Sequence, residues 1–238
     1  MDKLQPVMVS GERVPLGQTG TLAVERNRVL RNTYWLLALS LLPTVGGALV
    51  GTQFNLGRVF AAYPIAAPLV LFGVMLGSLF LVTALRNSAW GVAALFGFTF
   101  IAGLALTPIL TYAAGFANGG QLVALAGGMT AVIFFALAGY ATVTKKDFSF
   151  MGKFLFIGLI LLVVASLANL FFQIPALSLT ISSIAVLLFS AYILFDVSRI
   201  VNGGETNYVM ATMSLFLNIY NLFTSLLQLL LAFTGQRD

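Results

Sequence analysis

The sequence contains neither cysteine nor histidine. Without cysteine there is no disulfide, no thiolate nucleophile and no cysteine-ligated metal. Without histidine the commonest general base and metal ligand is missing too. Charge is scarce: Asp, Glu, Lys and Arg make up 8% of the 238 residues, against about 25% in an ordinary soluble domain. So few charges cannot coat a water-facing surface. With 60% apolar residues, the composition is that of a polytopic membrane protein. The net charge of +5 is scattered over short flanks, so the concentrated basic face that nucleic-acid binding needs is absent. The chain has no GxxxxGK motif and no connection long enough to hold a nucleotide-hydrolysing domain. Asp196 is the one acid set among apolar runs, which excludes an intramembrane aspartyl pair. No lysine lies inside an apolar run, so a serine nucleophile has no base. No catalytic residues and no cofactor are expected.

What the chain does contain is seven apolar segments, at residues 33–50, 60–85, 90–112, 121–143, 154–172, 176–197 and 208–233, each near or above the roughly 20 residues needed to cross a bilayer. The division between the fifth and sixth rests on Gln173 and Pro175, because proline favours a helix stop just before it. One unbroken helix there would be about 66 Å long at 1.5 Å per residue, too long for a bilayer. The expected fold is an all-α polytopic membrane bundle of seven transmembrane helices, with a flexible N-terminal arm at 1–32 and a short tail at 234–238. The arm has no apolar core of signal-peptide type, and Pro6, Gly11, Pro15, Gly17 and Gly20 break up its polar run.

Charge sets the expected orientation. Lys3, Arg13, Arg26, Arg28, Arg31, Arg86, Lys145, Lys146, Lys153 and Arg199 fall on one side, and Arg58 and Arg237 on the other. The basic side is expected to be cytoplasmic, the N-terminus with it, and the C-terminus on the far side. Pro68 and Pro108 lie inside segments and are expected to bend them. Thr107 is a candidate to satisfy part of the backbone bonding lost at Pro108. Gly73 with Gly77, and Ala124 with Gly128, have the small-xxx-small spacing that lets helices pack closely. That spacing serves packing inside the bundle or a subunit contact.

Asp196 stands near the cytoplasmic end of the sixth segment, and helical spacing puts Tyr192, Asp196 and Arg199 on one face. Two readings follow. Either Asp196 pairs with Arg199 or the headgroup region and simply ends the helix, or it faces a polar crevice, where it gates by exchanging a proton or binds a cation. The next segment carries Ser214, Asn218, Asn221, Ser225 and Gln228, spaced as one polar stripe along an apolar helix. Facing lipid, those amides would be left without partners. The stripe must therefore face protein or water, which places the last helix at the centre of the bundle. With one carboxylate and no dedicated ligand set, Asp196 supports at most weak, transient calcium binding. Between the two segments, Gly203 and Gly204 allow a tight turn, Thr206 or Asn207 can cap the last helix, and Glu205 can pair with Arg199 or with one of Lys145, Lys146 and Lys153.

Several stretches together carry a family resemblance. They are "RVLRNTYWLLALSL" from Arg28, "FGFTFIAGLALTPIL" from Phe96, "AGYATVTKKDFSFMGKFL" from Ala138 and "LFDVSRIVNGGETNYVMATMSLFLNIYNLF" from Leu194. The chain resembles the Bax inhibitor family, and within it the bacterial branch that modulates the FtsH protease. The resemblance runs from Arg28 onward. It implies a seven-helix fold with a central last helix, an inner-membrane location and an FtsH-type membrane protease complex as partner. It also implies a second activity, a pH-sensitive calcium leak. In that activity two aspartates on the last two helices share protons and contact an arginine on the second helix. Asp196 matches the first acid; the second falls on Asn218. No arginine lies within the second segment, and Arg86 sits at its end. Two carboxylates in one site repel and titrate as a coupled pair. An Asp–Asn pair has no such coupling.

Overall fold

The computed structural model describes residues 7–9, 12–14 and 16–235. Two short antiparallel strands, β1 (Val7–Val9) and β2 (Glu12–Val14), pair ahead of the helices. The helices are α1 (Leu16–Gln53), α2 (Leu56–Ala62), α3 (Ala66–Leu85), α4 (Trp90–Ala105), α5 (Thr107–Ala114), α6 (Gly119–Thr144), α7 (Gly152–Phe172), α8 (Pro175–Val201) and α9 (Tyr208–Gly235). Among the described residues, seven spans are long and apolar enough to cross a membrane, with α4 and α5 together forming one of them. Lys3, Arg237 and the tail beyond Gly235 lie outside the described residues.

Helix α9 occupies the centre, packed against α1, α6 and α8. Its buried residues do not form one stripe. Leu215, Phe216, Asn218, Leu222, Ser225, Leu226 and Leu227 are all buried and together cover more than half of the helix circumference, as a helix packed against several others requires. The Phe98 ring from α4 meets Phe216 edge-on at 6.0 Å. By contrast, α3 and α7 are peripheral and face outward along most of their length.

Several segment boundaries differ from those read in the sequence. Helix α1 begins at Leu16, well before the apolar run at Thr33. The hydrocarbon sets where an apolar run starts, but backbone hydrogen bonding continues past it. The second crossing begins at Ala66; Phe60 belongs to the separate helix α2. Pro68 therefore falls in the first turn of α3, where the N–H it lacks has no intrahelical acceptor, and it ends up bending nothing. Pro108 does interrupt its span, dividing α4 from α5 at Leu106. Thr107 does not compensate: its buried hydroxyl has no hydrogen-bond partner and is pressed against Gly51. The α7–α8 break falls at the expected place, with Gln173 in the left-handed region at φ 50° and Pro175 opening α8.

The closest helix packing uses glycines other than those picked out by spacing. Gly73, Gly77, Ala124 and Gly128 are exposed on the outside of the bundle, so they do not pack within it. The tight contact is between α1 and α4. A Cβ on Gly47 would run into the Phe100 carbonyl, and one on Gly103 into the Thr44 carbonyl. The two backbones approach as closely as glycine permits.

Candidate functional site

Asp196 lies in the last two turns of α8, and Asn218 lies opposite it on α9. Both are buried, at 8% and 6% exposure. The Asn218 Nδ2 amide donates to Asp196 Oδ2 at 2.8 Å. A carboxylate buried this deeply is costly unless a donor faces it, and Asn218 supplies one. Arg199, one turn further along α8, takes a different partner. Its Nη2 lies 3.7 Å from Glu205 Oε2 and donates to the Gly204 carbonyl at 3.3 Å. Its guanidinium sits over the Phe195 ring at 5.6 Å. Among the described residues, the ion pair of Arg199 is with Glu205 and not with Asp196. Tyr192 is half-buried in an aromatic row between Phe189 and Phe195.

Two residues of the polar stripe of α9, Asn218 and Gln228, bond to α8. Ser214 is half-buried one turn before Asn218, and Ser225 is buried. Asn221 bends back onto its own helix, donating to the Leu217 carbonyl at 2.8 Å. Near the far end of α9, Gln228 accepts from the Ser182 hydroxyl at 2.8 Å and donates to Ser178 Oγ at 2.7 Å. Asn218 and Gln228 therefore fasten α9 to α8 at two levels.

Around the charged end a second set of contacts ties the connections together. Ser198 donates to the Lys146 carbonyl at 2.9 Å and accepts from the Phe148 N–H at 3.1 Å. Asn202 donates to the same carbonyl at 3.3 Å and to the Ser198 carbonyl at 3.0 Å. The α6–α7 connection is in this way held against the end of α8. Asn207 caps α9, accepting from the Val209 and Met210 N–H groups at 3.0 Å each. Its amide reaches the end of α3, donating to the Arg86 carbonyl at 3.0 Å and to Asn87 Oδ1 at 2.9 Å. Glu205 accepts from the Asn207 N–H at 2.9 Å, so one acid serves both the turn and Arg199. Gly203 takes φ 80°, and the Arg26 side chain lies where a Cβ would project. In the exposed α6–α7 connection, hydrogen bonds from Ser149 hold the Asp147 carboxyl below the usual carboxylate range. Sequence reasoning missed Ser198 and the reach of Asn207 to α3. The Ser198–Asn202 spacing of one helical turn beside "KKD" was the available signal.

Among the described residues, no group of three or more Asp, Glu, His or Cys could hold a metal ion. The Asn218 amide presents its NH2 to Asp196, so the pair offers a hydrogen-bonded acid rather than a ring of oxygen ligands.

Residues 26–235 match the family described as "Inhibitor of apoptosis-promoting Bax1". The chain belongs to the Bax inhibitor family. It is 47% identical to an uncharacterized protein of Pseudomonas aeruginosa, over 86% of this chain and 89% of that protein. It is 44% identical to an uncharacterized membrane protein of Vibrio cholerae, over 87% and 90%. It is 39% identical to the Escherichia coli K12 protein named "Modulator of FtsH protease YccA", over 88% and 92%. The structure brings Asp196 and Asn218 together. Among the described residues, no ion pair joins Arg86 to Asp196.

Proposed function

We propose that this protein is a multi-pass inner-membrane protein that restrains an FtsH-type ATP-dependent membrane protease. The observation that carries this reading is its similarity, over 88% of the chain, to a relative named as a modulator of that protease. The mechanism is non-enzymatic. Helix–helix contact in the bilayer holds the protease, and the N-terminal segment is offered to its cytoplasmic pore, delaying other substrates. The orientation that this requires puts the N-terminus in the cytoplasm and the C-terminus in the periplasm. It is supported by the gathering of Arg26, Arg86, Lys146 and Arg199 around one end of the bundle and by the positive-inside rule.

The test is co-purification of the protease from solubilised membranes, together with the degradation rate of a membrane substrate. The N-terminal role is tested by deleting residues 1–15. A longer deletion would remove part of α1, including Arg26, which packs on the turn at Gly203. Retention of the full restraining effect by the folded, shortened chain rejects the role of the arm. Failure of the intact chain to co-purify rejects the partner.

The second reading is a pH-sensitive leak for calcium or another cation, and the burial of an acid, Asp196, among the helices favours keeping it. Calcium flux into liposomes across pH, for the parent and for Asp196→Asn, tests it. Flux no greater than in empty liposomes removes it.

A further inference from the structure

At the end of the bundle away from the Asp196 pair, α7, α8 and α9 enclose an open cavity of about 450 Å³. That lies within the range of small-molecule sites, roughly 300–1,000 Å³. Its polar lining comes from Ser166, Asn169, Gln173, Ser178 and Gln228, and among the described residues no charged side chain takes part. The lining is built rather than incidental. Gln228 is held from both sides by Ser178 and Ser182, and Ser182 is itself buried. Asn169 Oδ1 accepts the Ile174 N–H at 3.0 Å, which leaves its NH2 for another acceptor. The second N–H of Gln228 and the Gln173 amide add further donors.

The depth of the cavity restricts what can occupy it. Gln228 precedes the last residue of α9, Gly235, by about two turns, or about 10 Å along the axis. The cavity therefore runs from the interfacial zone toward the hydrocarbon. Amides open to lipid tails would be left unbonded at a cost of several kcal/mol each. At that level the acceptors the bilayer itself supplies are the phosphate and ester oxygens of a phospholipid, which accept hydrogen bonds and donate none. The rest of the lining, Leu170, Ile174, Pro175 and Ile181, is apolar and offers surface on α7 and α8 for acyl chains. The absence of lining charge gives no reason to select an anionic headgroup.

We propose that this cavity binds one zwitterionic glycerophospholipid by its phosphate–glycerol region, with the acyl chains lying along α7 and α8. The test uses the delipidated full-length protein in detergent, titrated with phosphatidylethanolamine and read by native mass spectrometry. Retention of a single lipid is expected, weakened about tenfold by Ser166→Phe and by Gln228→Leu. Ser166 is exposed and bonds its own helix, so its replacement fills the cavity and leaves the fold standing. Val132→Ala, on the exposed face of α6, serves as the control and is expected to bind as the parent does. Equal retention by parent and Ser166→Phe overturns the proposal, as does equal loss in the control. A preference for phosphatidylglycerol of about tenfold or more also overturns it. Binding of free sn-glycerol 3-phosphate as tightly as lipid overturns it in favour of a soluble phosphate ligand.

Discussion

Replacing Asn218 by leucine removes the donor that faces Asp196 while keeping an apolar side chain of similar size in the space. The size of the loss reports the state of the acid. An interhelical hydrogen bond between neutral groups contributes about 0.6 kcal/mol on average. A hydrogen bond to a charged group contributes roughly 1.5–3 kcal/mol, and stripping the partner from a buried charge costs about 3–5 kcal/mol. Asp196 is 8% exposed and the bond is 2.8 Å long, so an ionised carboxylate places Asn218→Leu at about 2 kcal/mol or more. For a chain of this size that is a fall in Tm of about 4–8 °C. The assay is unfolding in mixed micelles, run as a double-mutant cycle with Asp196→Leu. Replacing both partners by leucine removes the unsatisfied group as well as the bond, so the double variant is expected to recover most of the loss. A single-variant cost below about 0.5 kcal/mol would refute the claim that this contact fastens α8 to α9. A cost near 0.6 kcal/mol, recovered in the double variant, would mean that the acid is held neutral.

Gly103→Val is expected to destabilise by at least about 1–3 kcal/mol, because the Thr44 carbonyl it meets is backbone and cannot rotate away; Gly73→Leu, with open space around it, is expected to leave the unfolding midpoint unchanged. Ser198→Ala removes the part-buried bonds to the Lys146 carbonyl and from the Phe148 N–H, at about 0.5–1.5 kcal/mol, and limited proteolysis is expected to cut the α6–α7 connection faster than in the parent. The Asp147 carboxyl is depressed by Ser149, so its contribution is present above the ordinary carboxylate pKa and is lost as pH falls through the lower folded value. Exchange protection of the Ser149 amide is expected to persist at pH about 4 and to disappear below that; loss already above that pH contradicts the contact. Because the chain has no cysteine, Asp147→Cys and Phe54→Cys each introduce a single thiol at an exposed position. A membrane-impermeant thiol reagent added to intact cells is expected to label position 54 and spare position 147, and the reverse pattern inverts the orientation.

The number of crossings and the central place of α9 were legible because both follow from where apolar runs stop and from the cost of amides in lipid. Where a helix ends within or beside an apolar run, composition says little. Phe60 reads as part of the second segment, yet α2 and α3 are separate helices. Small-residue spacing misled for a related reason. Gly73 and Gly77 have the right interval, but which face of α3 meets the bundle depends on tertiary packing, and the packing interval was Gly47 and Gly51 on α1. Within the site, the stripe identified Asn218 as inward-facing. Its bond to Asp196 needed the register of two antiparallel helices, and the capture of Arg199 by Glu205 needed the shape of a six-residue turn.

The two proposed functions place opposite demands on that site. A leak needs the polar side chains between α8 and α9 to part, and here they are fastened at Asn218 and again at Gln228. The connections at the end that carries Lys146 and Arg199 are held as well, through Ser198, Asn202 and Asn207. Restraint of a protease needs no opening of the bundle. It needs a rigid set of outer faces, which α3 and α7 present along most of their length. A variant that loosens the α8–α9 contact while leaving the outer faces alone therefore separates the two. Asn218→Leu is expected to raise ion flux if the bundle is a closed leak held by this bond, and to leave protease restraint intact as long as the chain stays folded. Loss of restraint with no flux, in a variant whose unfolding midpoint still lies above the assay temperature, would show instead that the α8–α9 register itself is what the protease reads.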